Sequence, residues 1–189
     1  ENKVFPVGAG VWLRIHPEDR VATPYTSWQF DATSTRMPEF TAPGIGRQST
    51  LVTVQADFPK DASGVLYALG GASGGVSLFV DKGKLTYEYN MLILQITQIS
   101  AADSLSPGMH TIGVDTTIAK PGAPAEVIIS VDGKEAARGT VPVTVPAAFT
   151  ASESFDVGTD LGSPVSSVYE ERRPFAFDGG NIQVKVDLK

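Results

Sequence analysis

Cysteine is absent from this 189-residue chain, which excludes a disulfide framework and any thiolate metal site and leaves the redox compartment unread. Histidine is nearly absent: His16 and His110 are the only two, and they lie far apart in sequence. A histidine-built metal site or catalytic triad therefore has no partners that sequence can name. Positive charge is also sparse. The 15 Lys and Arg are scattered among 21 Asp and Glu, for a net charge of −6, and they form no stripe that would neutralise phosphates, so nucleic acid is not an expected partner. Long apolar runs are missing as well. Stretches such as Met91 to Leu94 fall far short of the ~20 residues of a membrane span, and no signal-peptide pattern opens the chain. Beginning at Glu1 and not at methionine, the chain reads as a mature or excised piece.

What is plentiful is turn formers and alternation. Nineteen glycines and thirteen prolines punctuate apolar residues that recur at period two, the signature of many short strands. Ala125, Val127, Ile129 and Val131 alternate with polar residues, Asp132-Gly133 supplies a hairpin turn, and a return strand runs from Glu135 to Val141. A second hairpin runs from Val76 to Val80 through Asp81-Lys82-Gly83-Lys84, after which Leu85, Tyr87, Tyr89 and Met91 alternate with Thr86, Glu88 and Asn90. Leu51 to Phe58, Val65 to Leu69, Met109 to Ile118, Phe155 to Gly158 and Ile182 to Leu188 complete the set of predicted strands. The expected fold is all-β, an antiparallel β-sandwich of jelly-roll type over residues 47–189. Residues 1–46 hold Trp12, Trp28, five prolines and little periodicity, and read as an extended linker or docking segment. Trp28 through Phe40 are expected to lie against the sandwich, and residues 1 to about 20 to face another domain.

The stretch from Leu105 through His110 to Val114, followed by Val127 to Lys134 with its Val-Asp-Gly turn, resembles concanavalin A-like and laminin-G sandwich modules. Over nearly the whole chain, a second set of motifs resembles the C-terminal region of long proteobacterial arylsulfatases. These are Asn2 to Gly8, His16 to Asp19, Arg36 to Phe40, Gly64 to Gly71, Ser73 to Gly75, Tyr87 to Asn90 and Asp156 to Val165. That resemblance implies a non-catalytic accessory domain that packs on a sulfatase catalytic domain of the same polypeptide and shapes access to its pocket, in the periplasm or outside the cell. It implies that the parent hydrolase uses formylglycine and Ca2+, and it carries neither into this chain. No proline here has Cys or Ser two residues before it, so the C/S-x-P-x-R precursor of formylglycine is missing.

The residues also allow a lectin-like reading in which the sandwich binds carbohydrate. Glu88 and Asn90 share one strand face and fit a polar ligand, while Tyr87 and Tyr89, with Tyr67, Tyr169 and Phe79, are candidates for stacking on sugar rings or for the core. The E-x-D-x-x-E pattern of jelly-roll glycanases is absent, so paired acid and nucleophile catalysis has no carboxylates to use. Asp156 and Asp160, among glycines, are the candidates for a Ca2+ loop, or alternatively close turns on nearby amides. Ser163 lacks a nucleophile elbow and reads as a turn residue. Arg172 and Arg173 beside Glu170 and Glu171 read as a solvated charge cluster.

Overall fold

The computed structural model describes residues 24–150 and 152–189. Among these described residues there are twelve strands: β1 (Ser27–Asp31), β2 (Met37–Pro38), β3 (Thr50–Phe58), β4 (Gly64–Gly71), β5 (Gly74–Asp81), β6 (Lys84–Met91), β7 (Gln95–Ser104), β8 (Gly108–Ile118), β9 (Ala125–Val131), β10 (Lys134–Val141), β11 (Ser154–Val157) and β12 (Gly180–Leu188). A 3-10 helix spans Ser167–Arg172. The strands form two six-stranded antiparallel sheets, ordered β1-β12-β3-β8-β9-β10 and β2-β11-β4-β5-β6-β7. This is the β-sandwich expected from the alternation.

Local chemistry sets the hairpins. Lys82 and Gly83 have φ of +51° and +81°, and Asp132 and Gly133 have +50° and +77°. Two consecutive left-handed residues match the twist of paired strands. The core lies between the sheets. Val52, Val54, Val184, Val186, Ile112, Val114, Val127 and Ile129 face it from the first sheet, and Tyr67, Leu69, Val76, Leu78, Leu85, Tyr87, Tyr89 and Phe155 from the second. Burying each large apolar side chain contributes about 1.5–3 kcal/mol.

The segment read as a linker over 1–46 joins the sandwich from residue 27 onward, because β1 pairs with β12 and β2 with β11. Phe30 is in the core and Trp28 and Met37 pack against it, whereas Phe40 is half exposed. The reading of Trp12 and of residues 1 to about 20 lies outside the described residues.

Candidate functional site

Side chains alternate across a strand, so the face of the second sheet opposite the core carries the residues between the core ones. Register aligns one row of them: Asp156 lies opposite Ala68, Ala68 opposite Ser77, Ser77 opposite Glu88 and Glu88 opposite Gln98. A bulge between Val65 and Tyr67 turns both Leu66 and Tyr67 into the core and leaves Val65 and Ala68 on the far face. The chain after β11 folds over this face as a strap. Its Val165, Tyr169 and Phe175 make a second apolar cluster with Val65, Ala68 and Phe79. The Tyr169 ring stacks on Phe175 at 5.1 Å and meets Phe79 edge-on at 5.2 Å.

Two buried carboxylates fasten the strap. Asp160 Oδ2 accepts from the Val165 N–H at 2.9 Å and from the Tyr169 hydroxyl at 2.6 Å, and Ser77 Oγ lies 2.9 Å from that same hydroxyl. Glu88 Oε2 accepts from the Ser166 hydroxyl and from the Gln98 amide, both at 2.7 Å. The other oxygen of each carboxylate, Asp160 Oδ1 and Glu88 Oε1, is buried with no partner among the described residues. Burial pushes Asp160 up to about 6, against the hydrogen bonds that favour its charge, and raises Glu88. At the rim, Arg172 closes a bidentate pair on Asp81 at 2.9 and 2.8 Å while lying over the Phe175 ring. Arg172 is thus a clasp between strap and sheet and not part of a loose solvated cluster.

The other predicted residues fall into place around this frame. Tyr87 and Tyr89 point into the core and present no ring to a ligand; the Tyr89 hydroxyl donates to Gly46 O and accepts from the Val145 N–H, both at 2.7 Å. Glu88 and Asn90 do share the far face, but both are buried beneath the strap. Asn90 donates to the carbonyls of Ala72 and Val165 and accepts from the Ile93 N–H. Asp156 accepts from the Arg36 N–H at 2.6 Å and from the Ser154 hydroxyl at 2.8 Å. Both aspartates of the candidate Ca2+ loop therefore tie down backbone, and among the described residues no group of three or more potential ligands is arranged to hold a metal. Ser163 donates to Glu153 and accepts from the Ala72 N–H, a loop clip. His110, far away on β8, bridges Asp132 and Ser106; His16 lies outside the described residues.

The accessible concavity lies elsewhere, at the end of the sandwich where β1 and β11 leave and β12 enters. A groove of about 340 Å3 is lined there by residues that include Asp31, Thr33, Thr159, Phe177, Asn181 and Gln183. A bulge between Gly180 and Gln183 shifts β12 against β3 and puts Asn181 at φ +52°, which aims its side chain to the rim. Gly179 has to be glycine: a Cβ would sit 2.3 Å from the Asp57 carbonyl oxygen and 2.4 Å from the Phe177 ring. The Phe177 N–H is fixed on the Gly158 carbonyl at 2.9 Å. Asp31 Oδ1 accepts from the Thr33 hydroxyl at 2.6 Å and its N–H at 2.9 Å, which holds the carboxyl below its usual range. The exposed amides of Asn181 and Gln183 have no partner among the described residues. A smaller groove of about 210 Å3 runs between the strap and β7, lined by Phe79, Asp81, Lys84, Thr86, Gln98, Ser100 and Val168. There the acid is taken by Arg172, and the Thr86 and Ser100 hydroxyls bond each other at 2.9 Å.

Sequence reading missed the end groove because Asp31, Thr159 and Asn181 are unremarkable singly. The Asp178-Gly-Gly-Asn181 run is the one signal for it, a turn signature that marks a bulge only once the register is known.

Set beside known proteins, the sandwich is similar to domains LG4-5 of the mouse laminin α1 chain, at 18% identity and a TM-score of 0.50, over 81% of this chain and 38% of that one. It is similar to the CBM40 of the Ruminococcus gnavus IT-sialidase at 13% identity and 0.54, over 76% and 78% of the two chains. The same CBM40 bound to α2,3-sialyllactose matches at 12% and 0.52, over 76% and 77%. The chain thus spans less than two fifths of the laminin structure and about three quarters of the CBM40 ones. No protein-family model matches it, and no curated protein does. At these identities the likeness establishes the fold, a concanavalin- and laminin-G-like β-sandwich. It lends nothing to the resemblance to arylsulfatases.

Proposed function

We propose that this chain is a non-catalytic, lectin-like module that binds carbohydrate in the groove at the end of its sandwich. The observation that carries the reading is the pair of unpartnered amides, Asn181 and Gln183, beside the Asp31 carboxylate and the Phe177 ring. Amides and carboxylates match the paired donors and acceptors of sugar hydroxyls, and an aromatic side chain suits the apolar face of a pyranose. The CBM40 that shares this fold is known with sialyllactose bound, which supports the class of ligand without locating a site, since function resides in sites and not in folds.

No reacting group fits the groove. Its single carboxylate has no second carboxylate among the lining residues, and paired acid chemistry needs two. The accessory role in a periplasmic or secreted arylsulfatase rests on the quoted motifs alone and ranks behind carbohydrate binding; in either role this chain does not turn over a chromogenic aryl sulfate. The test of the leading reading is ligand-observed NMR of the chain against a panel of oligosaccharides. Saturation transfer to at least one sugar, weakened when Gln183 is replaced by alanine, is the expected outcome. Transfer to none would end it.

A further inference from the structure

The groove's electrostatics narrow its ligand further than the fold does. Of its twelve lining residues, Asp31 is the sole charged one. Asp57 stands opposite Gly180 across the β3–β12 register, and Asp178 directly precedes Gly179, its carboxylate accepting from the Ser63 N–H at 2.9 Å. Acid therefore gathers at this end of the sandwich, and among the described residues no basic side chain lines the groove. The neutral polar groups on offer are the Asn181 and Gln183 amides and the Thr33 and Thr159 hydroxyls. Thr33 donates its hydroxyl to Asp31, and Thr159 donates to the Pro174 carbonyl, so both present lone pairs to a ligand. A sugar carboxylate or sulfate placed here would meet a like charge within the groove and find no cation to replace its water.

We infer that the groove takes an uncharged saccharide, with a pair of hydroxyls donating to Asp31, others meeting the Asn181 and Gln183 amides, and a ring face against Phe177, and that it rejects sialylated, uronate and sulfated sugars. The inference rests on the carbohydrate-binding reading and departs from the acidic ligand of the CBM40 that shares the fold. Selection comes from the charge of the lining residues. The cation-bearing groove beside the strap, where Lys84 has no ion-pair partner among the described residues, is the contrasting surface on the same molecule.

The experiment titrates the chain, with backbone and side-chain amides followed by NMR, with lactose, maltose, cellobiose, mannobiose and xylobiose, and in parallel with α2,3-sialyllactose and lactose sulfate. The expected result is that a neutral disaccharide shifts the side-chain amides of Asn181 and Gln183, and that the acidic sugars bind at least about tenfold more weakly. Asp31→Asn keeps the turn, since asparagine also accepts from Thr33, yet should lose about tenfold in affinity with the charge-assisted bonds. Gln183→Ala, on an exposed position with no partner, should lose about threefold or more with an unchanged fold. An acidic sugar that binds as tightly as its neutral counterpart would overturn the inference and leave carbohydrate binding standing. Shifts confined to the Lys84 and Gln98 groove would overturn it together with the end groove as the binding site. Failure of every sugar to bind would overturn both.

Discussion

The two sheets of this sandwich treat their far faces in opposite ways. On the first sheet, Thr53, Gln55 and Asp57 of β3 and Gln183, Lys185 and Asp187 of β12 face solvent, and burial alternates residue by residue. On the second, β4 is buried at every position and β5 at all but the last, because the strap from Gly158 to Asp178 lies across them. The comparison shows that a polar residue at an alternating position is on the far face but not thereby in water. Glu88 and Asn90, which by alternation share one strand face and read as fit for a polar ligand, are buried, and so is Ser77. What makes their burial tolerable is that each meets a polar partner: from the strap, the Tyr169 hydroxyl bonds Ser77, the Ser166 hydroxyl donates to Glu88 and the Val165 carbonyl accepts from Asn90, while the Gln98 amide of β7 also donates to Glu88. What remains unpaid for is one oxygen on each carboxylate.

Removing the strap's anchor is the most severe way to test the contrast. Tyr169→Ala deletes a fully buried ring and leaves Asp160 and Ser77 short of a partner, so a loss of about 3–5 kcal/mol is expected in urea unfolding. A loss under about 1 kcal/mol would mean that the strap contributes little to the sandwich.

Next in size is the response to pH. The Asp160 carboxyl titrates at about 6 in the fold against 3.8 for the free group, so between these values the folded chain binds more protons than the unfolded one. Its contribution to stability is therefore greatest below pH ~4, falls as pH rises to ~6, and is flat above, a difference of about 2–3 kcal/mol. Asp81 and Asp132, whose carboxyls lie below the usual range because of Arg172 and of the Thr111 N–H respectively, act in the opposite direction. The slope due to Asp160 is thus read as the difference between wild type and Asp160→Asn across pH 4–7, and parallel curves for the two proteins would refute it.

Smaller again is Gly162→Val. Gly162 has φ +95°, and a Cβ there would sit 2.5 Å from Glu153 Oε2; destabilisation of about 1–3 kcal/mol is expected at the point where the strap begins. An unchanged melting temperature would place this loop outside the cooperative unit. The smallest effect belongs to the open sheet. Gln55→Ala should change stability by less than about 0.5 kcal/mol, and a change comparable with that of Gly162→Val would erase the distinction between the two faces.

Much of the sandwich is legible in the sequence because its signals are local. The period-two runs of β3, β8, β9 and β12 place Val52, Val114, Ile129 and Val184 inward without reference to anything distant, and Lys82-Gly83 and Asp132-Gly133 close hairpins by their own left-handed conformations. The alternation of Tyr87, Tyr89, Glu88 and Asn90 likewise divides those four residues correctly between two faces. It does not say which face meets water. The strap carries no period at all: Pro164, Pro174 and isolated aromatics mark irregular chain, and Tyr169 and Phe175 disclose their role only once Phe79 and Val65 lie beneath them.

Composition and alternation by themselves determined an all-β chain with two-faced strands, because side-chain direction repeats every two residues and glycine or aspartate turns need only their neighbours. Tertiary structure alone decided that the carboxylates of Glu88 and Asp160 are buried under a strap and that Asp31, Phe177 and Asn181 meet around a groove. The physical reason is separation along the chain. Asp31 and Gln183 become neighbours through the pairing of β1 with β12, and Asn181 is aimed by a bulge defined only against β3, so no local pattern could register either.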